Sequence, residues 1–239
     1  MQQSVIIKSQ FNGPPKSANG GYAAGILAAQ FDGGVEISLH VPPPLDTKMM
    51  LTRVGDAAKL VHGDTVVATA TVAVCDFAVP VLPNPLVLGS SPLETGGEFA
   101  PFVTCFVCGN DRSHGDGLCL YCKLVEGHPG LVAAPWSLHD AFTRGDGTID
   151  PLYIWSALDC PGYFACAPGE AAVLGRFTGQ ILAPLEALAD ATVLGWSLDD
   201  GAPKGRKRRC GTAVYAADGT LVAKAEGIWI LIDPSKMPS

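Results

Sequence analysis

The sequence predicts an α+β fold of two tandem units, each a long helix wrapped by an antiparallel sheet. Three observations carry this. A helix followed by four strand-like runs occurs twice along the 239 residues. A stretch dense in proline and glycine separates the two occurrences. A short letter pattern recurs: Gly63-Asp64-Thr65-Val66-Val67-Ala68-Thr69-Ala70 parallels Asp218-Gly219-Thr220-Leu221-Val222-Ala223-Lys224-Ala225. Both are a tight turn feeding an alternating strand, which favours an internal duplication.

The first unit, 1–78, opens with a strand at 4–9. A helix follows over 19–31, capped by Asn19, with Tyr22, Ile26 and Ala29 at helical spacing and Gly33-Gly34 ending it. Strands are expected at 35–41, 48–54, 58–61 and 65–74. In the last, Val66, Ala68, Ala70 and Val72 share one face and Val67, Thr69, Thr71 and Ala73 the other. Residues 79–104 form the connection, with Pro80, Pro83, Pro85 and Pro92 denying ladder donors. The second unit, 105–239, repeats the order. Strands are expected at 119–125 and 131–134, then a helix over 151–167 with Asp150 as cap and Pro151 where no amide is needed. Strands at 171–183, 191–198, 207–215 and 220–232 complete it. One helix followed by an antiparallel run must bury the helix against the sheet. That is the hotdog arrangement, and two copies can enclose a shared site between their helices.

Composition narrows the function. A net charge of −7 gives no global attraction to nucleic acid or anionic membranes. No apolar run reaches the roughly 18–20 residues of a membrane span. The opening residues lack a basic segment, so no leader is expected. Eight cysteines are few for a disulfide framework in a chain of this length, which points to a reducing, cytoplasmic compartment. No Gly-x-Ser-x-Gly elbow, phosphate loop or dinucleotide fingerprint occurs.

Ser156-Ala157-Leu158-Asp159-Cys160-Pro161-Gly162-Tyr163-Phe164 resembles the central helix of the second unit in TesB-type acyl-CoA thioesterases. Ala18-Asn19-Gly20-Gly21-Tyr22 resembles that family's Gly-Gly start of the first central helix, and Glu226-Gly227-Ile228 its final strand. Cys105-Phe106-Val107-Cys108-Gly109, continued by Gly117-Leu118, is similar to the opening of many PaaI-like hotdog proteins. The resemblance implies a double-hotdog acyl-CoA thioesterase with Asp159 in the catalytic position, as base or nucleophile. It also implies a glutamine before the Glu-Gly pair and a threonine in a preceding strand. Ala225 stands at the first position, Ser197 is the nearest match to the second, and Cys160 replaces a histidine.

The residues themselves can be read further. A carboxylate flanked by Trp155, Leu158 and Phe164 would be partly desolvated and its pKa raised toward that of a useful base. A helix aspartate can also be a plain cap. The amides at Gly20 and Gly21 lack intrahelical partners, so Gly21 is a candidate oxyanion donor or simply a flexible cap. Arg206, Lys207, Arg208 and Arg209, with Lys204, form the densest basic run in an acidic chain. They suit coenzyme A phosphates, or serve as a solvated hairpin. Cysteines 105, 108, 119 and 122 have the spacing of a zinc knuckle pair. A strand at 119–125 would send Cys119 and Cys122 to opposite faces, so no metal is assigned and no cofactor beyond the coenzyme A of the substrate. The reading is therefore acyl-CoA hydrolysis, with a non-catalytic acyl-CoA-binding protein as the alternative favoured by Ala225. Acyl length and self-association into a homo-oligomer are left open.

Overall fold

The computed structural model describes residues 2–90, 102–187, 189–199 and 205–237. Lys204 and the middle of the connection, 91–101, lie outside the described residues. Eleven strands form one sheet in which every pairing is antiparallel. They are β1 (Gln2–Ile6), β2 (Val35–Leu39), β3 (Lys48–Val54), β4 (Ala57–His62), β5 (Thr65–Val72), β6 (Lys123–Leu124), β7 (Leu131–Trp136), β8 (Ala172–Ile181), β9 (Ala191–Ser197), β10 (Lys207–Ala216) and β11 (Leu221–Leu231). Their order is β1-β3-β4-β5-β2-β8-β11-β10-β9-β7-β6. Strands of the first half are thus contiguous, and so are those of the second. The two join where β2 pairs with β8, Ile37 opposite Phe177.

Helix α1 (Gly20–Ala28) is capped as its sequence predicts: the Asn19 side chain accepts from the Tyr22 amide at 2.9 Å. It packs on β2, β4, β5 and β8 and, more extensively, on α2 (Pro151–Ala157). Two glycines make that approach close. A Cβ at Gly21 would stand 2.4 Å from the Trp155 carbonyl oxygen, and one at Gly25 3.0 Å from the Trp155 Cβ. The helix expected over 151–167 is interrupted at Leu158, and α3 (Asp159–Cys166) continues beyond it. Pro161 explains the break: it has no amide for the Ala157 carbonyl, and its ring crowds that carbonyl. Asp159 consequently opens a new helix and is not an interior residue of a single long one.

Strand β5 departs from the expected alternation. Ala68 and Ala70 are buried, but Val66 and Val72 are exposed and Val67 is buried. The register explains Val66. Leu60 opposes Ala68 while Val61 opposes Val66, so Val67 is the extra residue of a bulge that switches faces. The strand expected at 119–125 shrinks to Lys123–Leu124. Cys119 adopts a left-handed φ of 55°, which a strand cannot accommodate.

The described part of the connection is an extended strap. Gly89 N–H donates to the Leu124 carbonyl and Glu126 N–H to that of Val87. Val79, Leu82, Leu86 and Leu88 cover an apolar cluster of Leu131, Leu194, Trp196 and Tyr215. The strap therefore seals the sheet face opposite α3, which rests on β7, β9, β10 and β11.

Candidate active site

The break at Leu158 and the cap at Asn19 meet between the two halves. Asp159 is 3 % exposed. Its Oδ2 accepts from the Asn19 Nδ2 at 2.7 Å and from the Gly21 amide at 3.0 Å. Its Oδ1 is buried and has no hydrogen-bond partner. One oxygen is anchored and the other is left for chemistry. Burial pushes the Asp159 carboxyl up to about 7; the Gly21 amide opposes the shift, the Cys105 charge adds to it, and Asn19 opposes it.

Asn19 therefore does two jobs: its Oδ1 caps α1 and its Nδ2 holds Asp159. Sequence reasoning identified only the cap. The available signal was the residue type, since an aspartate cap could accept but not donate. Gly21 also changes role. Its amide is already engaged by Asp159, so it positions the carboxylate and is not free to receive an oxyanion. Its lack of a side chain is what lets the carboxylate approach, since a Cβ there would lie 2.8 Å from the Asp159 Cβ.

A cavity of about 280 Å³ opens beside this carboxylate. Leu39, Val41, Phe102, Leu174, Trp229 and Ile230 give it apolar walls, and Asn19, Asp159, Cys105, Cys108 and Cys160 also line it. The indole N–H of Trp229 is buried without a partner.

Residues 102–122 bring the first two cysteines here. Phe106 N–H donates to the Asn12 carbonyl, and Leu118 and Leu120 N–H donate to those of Phe106 and Val107. Arg112 ties the same segment to the first half through the Gln10 carbonyl and the Asn12 side chain. The sulfurs of Cys105, Cys108 and Cys160 all lie within 4.8 Å of one another. Cys105 is held well below the usual thiol range by thiol donors from Cys108 and Cys160 and by the backbone amides of Cys108 and Val107. Cys108 and Cys160 are held well above it, chiefly by their hydrogen bonds to Cys105. Cys119 and Cys122 are not part of this cluster. Cys119 directs its thiol to the Arg112 and Gly117 carbonyls. The four cysteines of that spacing do not come together: the third sulfur beside Cys105 and Cys108 is that of Cys160, from α3.

The other expected site residues lie apart from the cavity. Ser197 ends β9, exposed, with its hydroxyl accepting from the Asp199 amide. None of Arg206, Lys207, Arg208 and Arg209 lines the cavity. Arg208 is paired in two-pronged fashion with Glu170, at 2.7 and 2.8 Å. Arg209 belongs to a crevice on the other sheet face with Glu36, Arg176 and Glu226. Lys207 is exposed and opposes Ile230, a residue of the cavity wall. Ala225 is fully buried in β11, opposite Thr212 and Gly179.

The fold is that of the hot dog proteins. Among solved structures the chain is similar to a TesB protein of Mycobacterium avium subspecies paratuberculosis, at 12% identity and a TM-score of 0.63 over 97% of this chain and 93% of that one. A candidate thioesterase from Novosphingobium aromaticivorans matches at 11% identity and TM-score 0.61, over 97% and 96% of the two chains. A hot dog protein of unknown function from Alicyclobacillus acidocaldarius matches at 12% and 0.55, over 98% and 94%. No protein-family model and no curated protein matches the chain.

Proposed function

We propose that this protein hydrolyses an acyl thioester, with acyl-CoA as the substrate class and Asp159 as the general base. One observation carries the reading: a buried carboxylate, one oxygen anchored and the other unpartnered, on an apolar cavity. In the reaction a water oxygen attacks the thioester carbonyl carbon while Asp159 takes its proton. The carbon–sulfur bond breaks, and the departing sulfur accepts that proton. A base with a pKa near neutrality suits this transfer. The cavity is small for a ligand site, which favours a short acyl chain. We read the sequence halves 1–78 and 105–239 as tandem hot dog units, in keeping with the strand order.

For the nucleotide end, Arg206 and Lys207 are the basic residues we assign to phosphate, because Arg208 is committed to Glu170. Replacing both by alanine should raise KM several-fold with kcat unchanged, and the effect should shrink as salt rises. Arg208→Ala should instead lower thermal stability and leave KM near the parent value.

The reading is tested by coenzyme A release from short, medium and long acyl-CoAs. Hydrolysis with incorporation of one solvent oxygen into the acid supports it. Label from oxygen-18 water appearing in Asp159 after a single turnover would assign a nucleophile in place of a base. Tight binding with no release on any substrate would favour the second reading, a non-catalytic acyl-CoA-binding protein. That reading is suggested by Ala225, which offers no side-chain hydrogen bond where the resembling thioesterases place a glutamine.

A further inference from the structure

We propose that Cys105, Cys108 and Cys160 form a site for a thiophilic divalent cation, zinc first, whose fourth position is filled from the cavity. The site stands on the sulfurs alone and does not depend on the hydrolase reading.

The sulfur spacings are short enough for three thiolates to reach one tetrahedral ion. Two sulfurs each about 2.3 Å from one such zinc stand about 3.8 Å apart. The Cys105 and Cys160 sulfurs are 3.7 Å apart, and all three fall within 4.8 Å of one another. That is far longer than a disulfide bond of about 2.05 Å. All eight cysteines are free thiols.

The support around the sulfurs also fits. The Cys105-Phe106-Val107-Cys108-Gly109 segment folds as a tight turn, with the Gly109 amide donating to the Cys105 carbonyl at 2.9 Å. A Cβ at Gly109 would meet the Val103 oxygen at 2.4 Å, so the turn requires glycine. The third sulfur comes from the first turn of α3, so an ion would cross-link the 102–122 segment to that helix.

Among the described residues no fourth cysteine, histidine or carboxylate joins the three. Asp159, the residue before Cys160, places no carboxylate oxygen within 4.8 Å of all three sulfurs. Three protein ligands with the fourth place open to a cavity is the pattern of reactive zinc sites, whereas four closed ligands mark structural ones. The exogenous ligand would be water or a thiolate, and coenzyme A carries such a thiol.

The test measures metal without substrate. The reduced, chelator-stripped full-length chain is titrated with zinc, and with cobalt(II) as a coloured substitute, while metal content is counted by mass spectrometry. One ion per chain with sulfur-to-cobalt charge-transfer absorption is expected. Cys160→Ser and Cys108→Ser should each weaken zinc binding by more than ~100-fold, beyond what a lost supporting group costs. Cys122→Ser should bind like the parent. Circular dichroism of each variant separates lost ligation from lost folding, and the parent titration needs no variant. Adding a small free thiol should shift the cobalt ligand-field bands; a spectrum that no small thiol moves overturns the open fourth position. No uptake by the reduced parent overturns the site. So does zinc that survives Cys160→Ser but is lost in Cys122→Ser, which would assign it to cysteines 105, 108, 119 and 122.

Discussion

Replacing Asp159 with asparagine is expected to lower kcat by about 10²–10⁴-fold, the usual contribution of a positioned base. The substitution is close to isosteric. The asparagine oxygen can still accept from Asn19 and Gly21, so substrate affinity should persist while turnover collapses. In the parent enzyme kcat/KM should rise with pH through the Asp159 pKa of about 7 and level off above it. Stability should move the other way. An unfolded aspartate titrates near 3.9, so between pH ~4 and ~7 the folded chain holds a proton that the unfolded chain has lost. The contribution of Asp159 to folding stability therefore falls as pH rises across that window. At pH 8 the asparagine variant escapes a penalty on the order of 4 kcal/mol, and should melt well above the parent. At pH 4 the two should melt together. An inactive variant that is no more stable than the parent at pH 8 would mean that Asp159 is not held in a buried, desolvated state.

Gly21→Ala is the second large effect, and it acts through packing. The new Cβ would meet the Trp155 carbonyl oxygen at 2.4 Å, the Asp159 Cβ at 2.8 Å and the Ser156 Cα at 3.0 Å. Two of these three atoms are backbone, so no rotamer change relieves the contact. Helix α1 must separate from α2, and the Gly21 amide then loses Asp159. Overpacking of this kind costs about 3 kcal/mol at the upper end of its usual range, or roughly 6–12 °C in Tm for a chain this long. Turnover should fall as well, because the anchored oxygen of Asp159 is released. Gly25→Ala is the control. The nearest atoms to its Cβ would be the Trp155 Cβ, the Leu152 Cα and the Leu152 Cδ2, at 3.0–3.3 Å, and the substitution should cost clearly less. If both alanines melt alike, the glycine at 21 is not required by the close approach described here.

Local rules determined much of this molecule. Asn19 and Asp150 cap their helices because each offers a side-chain oxygen to an amide that has no partner in the first turn. Glycine-bearing turns and alternating apolar residues placed the strands, with ends that shifted by a few residues. The short likeness around Asp159 singled out the residue now found buried against the other half. These features depend on neighbours along the chain, so the sequence displays them.

What depended on distant neighbours stayed hidden. The bulge at Val67 is set by the partner strand β4, and it reverses a face that alternation alone assigns wrongly. The double use of Asn19 and the engagement of the Gly21 amide arise only when residues 138 and 140 positions apart meet. Cysteine spacing pointed to Cys119 and Cys122, but a left-handed turn at Cys119 carries that thiol away. A break in the second helix brings Cys160 in its place. Likewise Arg208 read as a free cation until Glu170, 38 residues earlier, was seen to bind it. Period, caps and turns are local energies written in order along the chain. Which carboxylate loses its water, and which sulfurs lie together, follows from how the two halves close on each other, and only the tertiary structure decides that.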